Sequence, residues 1–287
     1  MELKEKIKSS LDKTVKYVFR LNDGVIMETS YIDNGTGKDI ICVSSQTMCS
    51  MGCSFCHLTD YVGKVKLRNM NFSEIIESVD FIYRDLNLVN NRLLLVSYMG
   101  MGEAVMNSDN VLISMKKLMQ SYENIRFGMA TSLPKGKWKN FIKIAEVVKE
   151  SKIPLKIHLS LHYTRDLQRN EFMPGSLNIK PSISALEFYH QITGNPVEIH
   201  YTLIKGQNDT IEDSWNLISL IENREIPVKF LRFSPKENDD NEETDKKRIS
   251  YFREKLEESG IKTEYYEPPG FDVAASCGMF LMENYLP

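Results

Sequence analysis

Two periodicities alternate along the chain. Short apolar runs rich in β-branched residues occur at Asp39–Val43, Leu93–Met99, Ile125–Ala130, Leu155–Leu161, Val197–Ile204 and Val228–Phe233. Between them, apolar positions recur at helical spacing over Ser73–Leu86, Asp109–Ser121, Trp138–Glu150, Ser182–Ile192 and Ile211–Glu222. A last helical stretch, Lys246–Ser259, stops at Gly260. Strand followed by helix, repeated in this way, predicts parallel βαβ units, because parallel neighbours need a crossover of helix length. The expected fold is α/β, a partial (β/α)6 TIM-like barrel. The polar start, Leu3 to Phe19, predicts a short helix. Asp33-Asn34-Gly35-Thr36-Gly37 is turn chemistry between Gly24–Ile32 and Lys38–Cys42 and predicts a β-hairpin. The chain thus divides into a helix-and-hairpin extension, 1–41, and a barrel, 42–287, whose last loop carries Cys277. The acidic run Lys236–Asp245 reads as a mobile surface loop.

Composition narrows the class. With 42% apolar and 26% charged residues, the chain is neither disordered nor fibrous. A net charge of −3 argues against a broadly basic nucleic-acid domain, so the clusters Lys64, Lys66, Arg68 and Lys135, Lys137, Lys139, Lys143 read as solvated surface. The apolar stretch near Leu93–Met101 falls well short of the roughly 18 residues of a membrane span. The start, Met-Glu-Leu-Lys-Glu-Lys, lacks the apolar core of a secretory leader. A cytoplasmic enzyme without membrane contact is the expectation.

In parallel barrels the chemistry gathers at the carboxyl ends of the strands, and the unusual residues fall there. A cysteine cluster follows the first run and Gly100-Met101-Gly102-Glu103 ends the second. Thr131-Ser132 ends the third, Ser160 and His162 the fourth; Gln207-Asn208-Asp209 follows the fifth, and Ser234-Pro235 ends the sixth. The cluster, Cys49, Cys53 and Cys56, has the spacing Cys-x3-Cys-x2-Cys and uses three of the chain's five cysteines. Three thiolates on one tight loop suit three irons of a 4Fe–4S cluster, leaving the fourth iron open to a small molecule. Zinc, with His57 or Cys42 as fourth ligand, is the competing reading, but structural zinc usually draws on two separated ligand pairs. Glu103 is placed to accept from a ligand's ammonium group, and the glycines beside it would let backbone approach that ligand.

The cysteine spacing is the signature of radical S-adenosylmethionine enzymes, and the chain resembles one branch of them, the RNA adenine methyltransferases RlmN and Cfr. The resemblance runs from about Gly24 to Gly278. It is carried by Glu28-Thr29-Ser30-Tyr31-Ile32, Cys42-Val43-Ser44-Ser45-Gln46, the cysteine cluster, Met99-Gly100-Met101-Gly102-Glu103, Ser160-Leu161-His162, Asn208-Asp209 and Asp272-Val273-Ala274-Ala275-Ser276-Cys277-Gly278. It implies a radical S-adenosylmethionine barrel and a 4Fe–4S cluster on Cys49, Cys53 and Cys56. It also implies an S-adenosylmethionine pocket lined by Gly102, Glu103, Ser160, Leu161, His162 and Asn208. Adenine carbons 2 and 8 are poor nucleophiles, whereas a thiolate is a good one. In such enzymes, therefore, the cysteine matching Cys277 takes a methyl group. A 5′-deoxyadenosyl radical then removes a hydrogen from it, and the carbon radical adds to adenine. The residue matching Glu28 takes the proton, and the thiolate matching Cys42 attacks Cys277, forming a disulfide and freeing the base. The implied partners are RNA, ribosomal or transfer, and a flavodoxin or ferredoxin as electron donor.

The chain departs from that pattern in several places. The family's N-terminal helical RNA-binding domain is lacking, since only 41 residues precede Cys42. Ala274 and Ser276 replace an aspartate and an alanine in the tail, Met279 a glutamine, and Ala104 and Ala130 a proline and a serine. The same methyl-cysteine chemistry on a smaller RNA, a nucleotide or a peptide is the alternative enzyme. A cluster- or zinc-bearing binding module is the alternative outside catalysis.

Overall fold

The computed structural model describes residues 1–33, 35–89, 91–236, 240–276 and 278–280. Among these, ten strands form one sheet whose spatial order is the order of the chain. Seven of them run parallel: β4 (Lys38–Cys42), β5 (Leu93–Tyr98), β6 (Ile125–Thr131), β7 (Leu155–Ser160), β8 (Val197–Thr202), β9 (Val228–Leu231) and β10 (Thr263–Tyr266). The crossovers are α1 (Phe72–Asp85), α2 (Ser108–Ser121), α3 (Trp138–Glu150), the pair α4 (Asp166–Phe172) and α5 (Ile179–Thr193), α6 (Ile211–Ile221) and α7 (Lys246–Glu258). Six strand–helix units followed by a further strand make the expected partial barrel. The longer helices bury apolar stripes, such as Ile75, Val79 and Ile82 on α1 and Phe141, Ile144 and Val148 on α3.

The helix expected over Leu3 to Phe19 is instead two antiparallel strands, β1 (Glu2–Lys8) and β2 (Val15–Arg20). β2 pairs with β3 (Ile26–Ile32), and β3 with β4 through Ser30↔Cys42 and Ile32↔Ile40, the expected hairpin. The reason lies in the period. Val15, Tyr17 and Phe19 alternate with Lys16 and Val18, and β-branched and aromatic residues at spacing two favour a pleated surface. Tyr17 and Phe19 meet Phe81 of α1 edge-on, with ring centroids 6.2 and 5.2 Å away. Both belong to the same apolar core as Val79 and Ile82. The lysine-rich β1 forms the outer edge, where charge discourages pairing with another chain.

The acidic run is more fixed than its composition suggested. Residues 237–239 lie outside the described residues, but Glu243 bridges to Ile204, Thr244 is buried on Asp209, and Asp245 caps α7. The first basic cluster is matched locally, Lys66 and Arg68 by Asp23, and Arg68 also by Glu74. Among the described residues no helix is long and apolar enough to cross a membrane.

Phe19→Ala tests how far the start of the chain is part of the domain. The side chain is fully buried, so its loss should cost about 3–5 kcal/mol in urea unfolding with the far-ultraviolet spectrum retained. A cost below about 1 kcal/mol would mean that residues 1–20 detach independently.

Candidate active site

One cleft opens at the carboxyl ends of the parallel strands, with a cavity volume of about 200 Å3. Each strand from β4 to β9 contributes, directly or through its following loop. Cys49, Cys53 and Cys56 follow β4, Gly102 and Glu103 follow β5, Ser132 follows β6, Ser160 and His162 lie at the end of β7, Thr202 ends β8, and Ser234 follows β9. The expected site residues Cys49, Cys53, Cys56, Gly102, Glu103, Ser160 and His162 therefore share one wall. Cys277 lies outside the described residues; Gly278, one position on, lines the cleft.

The cysteine loop is folded on itself. Cys56 N–H donates to Cys53 O (3.0 Å), Thr59 Oγ1 donates to the same oxygen (2.7 Å), and His57 N–H donates to Gly278 O (3.0 Å). Burial, then repulsion between neighbouring thiolates, pushes the thiols up: Cys49 to about 12 and Cys53 well above its usual value. Burial likewise raises Cys56. Three thiolates here are stable only beside compensating positive charge, which fits a metal cluster. The cleft wall includes neither His57 nor Cys42, the candidate fourth ligands for zinc.

Gly100 and Gly102 line the cleft, and they also have a reason within the protein. A Cβ on Gly100 would lie 2.8 Å from Ser44 Oγ and Val43 O, and one on Gly102 (φ +95°) 2.5 Å from Gln46 Cβ. The glycines let two protein segments approach closely. Polar bonds stitch the same seam: Met101 N–H donates to Ser44 Oγ (2.9 Å) and Glu103 N–H to Gln46 Oε1 (3.0 Å). Glu103 itself is buried, which pushes its carboxyl up, and it accepts from Val105 N–H (3.2 Å) and Ser132 N–H (3.0 Å). An arriving ammonium group would relieve that burial.

His162 sits at φ +56°, a left-handed conformation that a side chain rarely adopts. Thr202 N–H donates to its Nδ1 (3.0 Å). Burial lowers the ring to about 3. A neutral ring accepting at Nδ1 carries its proton on Nε2 and can present a donor. Leu161 and Asn208 do not line the cleft. Asn208 acts behind it, donating to His162 O (2.6 Å) and Thr202 O (2.8 Å) and accepting from Ile204 N–H (2.6 Å).

Arg169 is a residue that sequence reasoning missed. It is fully buried on α4, and its guanidinium donates to the carbonyls of Ser132 (3.1 Å), Ser160 (2.9 Å), Leu161 and Leu177 (3.0 Å). It pins the ends of β6 and β7 together.

Cys42 packs behind the cluster loop with Met48, Leu58, Met101 and Phe280, against Cys49 and Cys56. Glu28, on a hairpin that might have left it solvated, is fully buried and ion-paired with Lys16 Nζ at 2.8 Å. Its backbone carbonyl accepts from Ser44 Oγ (2.6 Å). Because Ser30 pairs with Cys42, Glu28 and Cys42 point to the same face of the sheet. Cys49, Cys53 and Cys56 are half-buried thiols. Deeper in the barrel, His158, Glu198 and His200 bring ligand-type atoms within 4.8 Å. Glu198 is already matched there by Lys156 (2.6 Å) and Lys229 (3.4 Å), so a dication would add charge without compensation.

Comparison with known proteins follows this geometry. The profile of the Radical SAM superfamily matches residues 43–221. A probable dual-specificity RNA methyltransferase RlmN from Lachnospira eligens is 31% identical over 97% of this chain and 77% of its own length. Its counterpart from Thermosipho melanesiensis is 33% identical over 94% and 77%. The crystal structure of a radical SAM methyltransferase from Sphaerobacter thermophilus shares the fold with a TM-score of 0.84, at 24% identity over 96% of this chain and 80% of that one.

His162 also makes stability depend on pH. A ring lowered from 6.5 to about 3 binds fewer protons folded than unfolded. Its contribution is whole above pH 6.5 and is lost as pH falls toward 3. Between pH 7.5 and 5.0, urea unfolding of the metal-free chain should lose about 2 kcal/mol less in His162→Gln than in the parent. Equal losses would mean that the ring is solvated.

Proposed function

The chain belongs to the radical SAM superfamily and, within it, to the RlmN family, and from that membership we propose that it methylates adenine in RNA, at carbon 2 or carbon 8, by way of a methylated cysteine. The observation that carries the reading is the single cleft at the strand ends, walled by all three cysteines of the Cys-x3-Cys-x2-Cys loop, with Cys42 packed directly behind them.

In this reading Cys49, Cys53 and Cys56 hold the 4Fe–4S cluster, which their need for compensating charge supports. When bound, the cluster and S-adenosylmethionine supply the methyl group and the one-electron cleavage that gives a 5′-deoxyadenosyl radical. Glu103 receives the ammonium of S-adenosylmethionine, and His162 offers its Nε2 proton as a donor. Gly102 and Ser160 complete that wall, with Leu161 and Asn208 supporting His162 from behind. Cys277 carries the methyl group to adenine. Glu28, already an ion-paired carboxylate, takes the proton from the ring carbon. Cys42 then attacks Cys277, closing a disulfide and releasing the methylated base. The enzyme acts in the cytoplasm and draws electrons from a flavodoxin or ferredoxin.

Anaerobic reconstitution should give a brown protein with about four irons per chain, lost in Cys53→Ala. Cys42→Ala should accumulate a covalent protein–RNA adduct, because the base can no longer be released. Sequencing the attached fragment identifies the adenine. Stoichiometric zinc, or adduct-free Cys42→Ala protein after turnover with RNA, would overturn the proposal.

A further inference from the structure

Residues 270–276 lead directly into Cys277, so whatever fixes them limits where that cysteine can go. Part of the restraint is internal. Ala275 N–H donates to Gly270 O (2.9 Å), and Ser276 Oγ donates to Pro269 O (2.9 Å). Beside the Arg232 guanidinium stacked on Phe271, the loop has a set of polar ties to residues 9–16, far from it in sequence. Ser9 Oγ donates to Asp272 Oδ1 (2.7 Å), while Ser10 donates to Oδ2 through N–H (2.7 Å) and Oγ (2.9 Å). In return Gly270 N–H donates to Asp12 Oδ2 (2.8 Å). Two carboxylates thus reach across the same seam in opposite directions. The seam is tight: a Cβ on Gly270 (φ +77°) would lie 2.6 Å from Thr14 Cγ2.

Lys16 adds a connection. Its buried ammonium donates to Ala274 O (3.0 Å) while pairing with Glu28 Oε2 (2.8 Å). One nitrogen therefore links the loop of the methyl-carrying cysteine to the proposed proton acceptor.

We infer that the turn between β1 and β2, together with Lys16 of β2, is a clasp, in which Ser9, Ser10, Asp12 and Lys16 are positioning residues that hold the 270–276 loop, the segment leading into Cys277, beside Glu28. The inference rests on the role proposed above for Cys277. Ordering a loop costs backbone freedom, and a reacting group must be held within about half an ångström of its working position. Hydrogen bonds at the exposed Asp272 add little to global stability. Their place on this loop makes local order their main effect.

The test uses the cluster-loaded full chain and the variants Asp272→Ala, Asp12→Ala and Asp272→Glu. Amide hydrogen exchange over 270–280 should quicken about tenfold or more in the two alanine variants, with peptides from β5 to β9 unchanged. The yield of 5′-deoxyadenosine per methylated RNA should rise about fivefold or more as the radical forms without a correctly held acceptor. Asp272→Glu should restore most of the coupling. Unchanged exchange, or faster exchange with unchanged coupling, overturns the clasp. If the parent protein methylates no RNA, the proposed function fails, and the exchange measurement alone then decides whether the turn holds the loop.

Discussion

Everything in this molecule depends on one unbroken hydrogen-bond ladder. From Glu2 to Tyr266 the strands lie side by side in the order in which they occur, and from β4 onward they run parallel. Parallel strands deliver all their carboxyl ends to one rim, so residues separated by long helices arrive together. The cleft is a consequence of that constraint before it is a consequence of any particular side chain.

The chemistry on the rim is then decided by burial and charge. Three thiols in one wall repel each other as thiolates and call for a cationic partner. Elsewhere in the barrel buried carboxylates are matched from within, Glu28 by Lys16 and Glu198 by Lys156 and Lys229. Among the described residues Arg169 and Lys236 lower Cys53 and Cys56 less than burial raises them, which suits a site prepared for a ligand.

Much of this was legible in the sequence. The runs that became β4 to β9 are rich in β-branched residues because both faces are covered, and α3 matches its expected span, Trp138–Glu150. Other features were hidden for physical reasons. β10, Thr-Glu-Tyr-Tyr, is half exposed and carries no apolar run. The start of the chain alternates at spacing two, and Lys16 fits that alternation as an ordinary polar position; nothing local says that its ammonium is buried. Its partner lies diagonally across the β2–β3 ladder, where Lys16 pairs with Ser30 and Val18 with Glu28. Arg169 was invisible for the same reason: its partners are backbone carbonyls, which leave no trace in side-chain identity. The glycines at 100 and 102 were seen, but only the fold reveals that it is Val43, Ser44 and Gln46 they make room for.

A sheet laid down in chain order has a consequence for synthesis. Each strand emerging from a ribosome meets, in the segment made just before it, the neighbour it needs, so the barrel can assemble as it is translated. The seam between Ser9–Asp12 and Gly270–Asp272 is different. It joins segments about 260 residues apart and closes only once every strand of the sheet has been made. The loop from Gly270 to Ser276 is therefore fixed only after the parallel strands that precede it are in place.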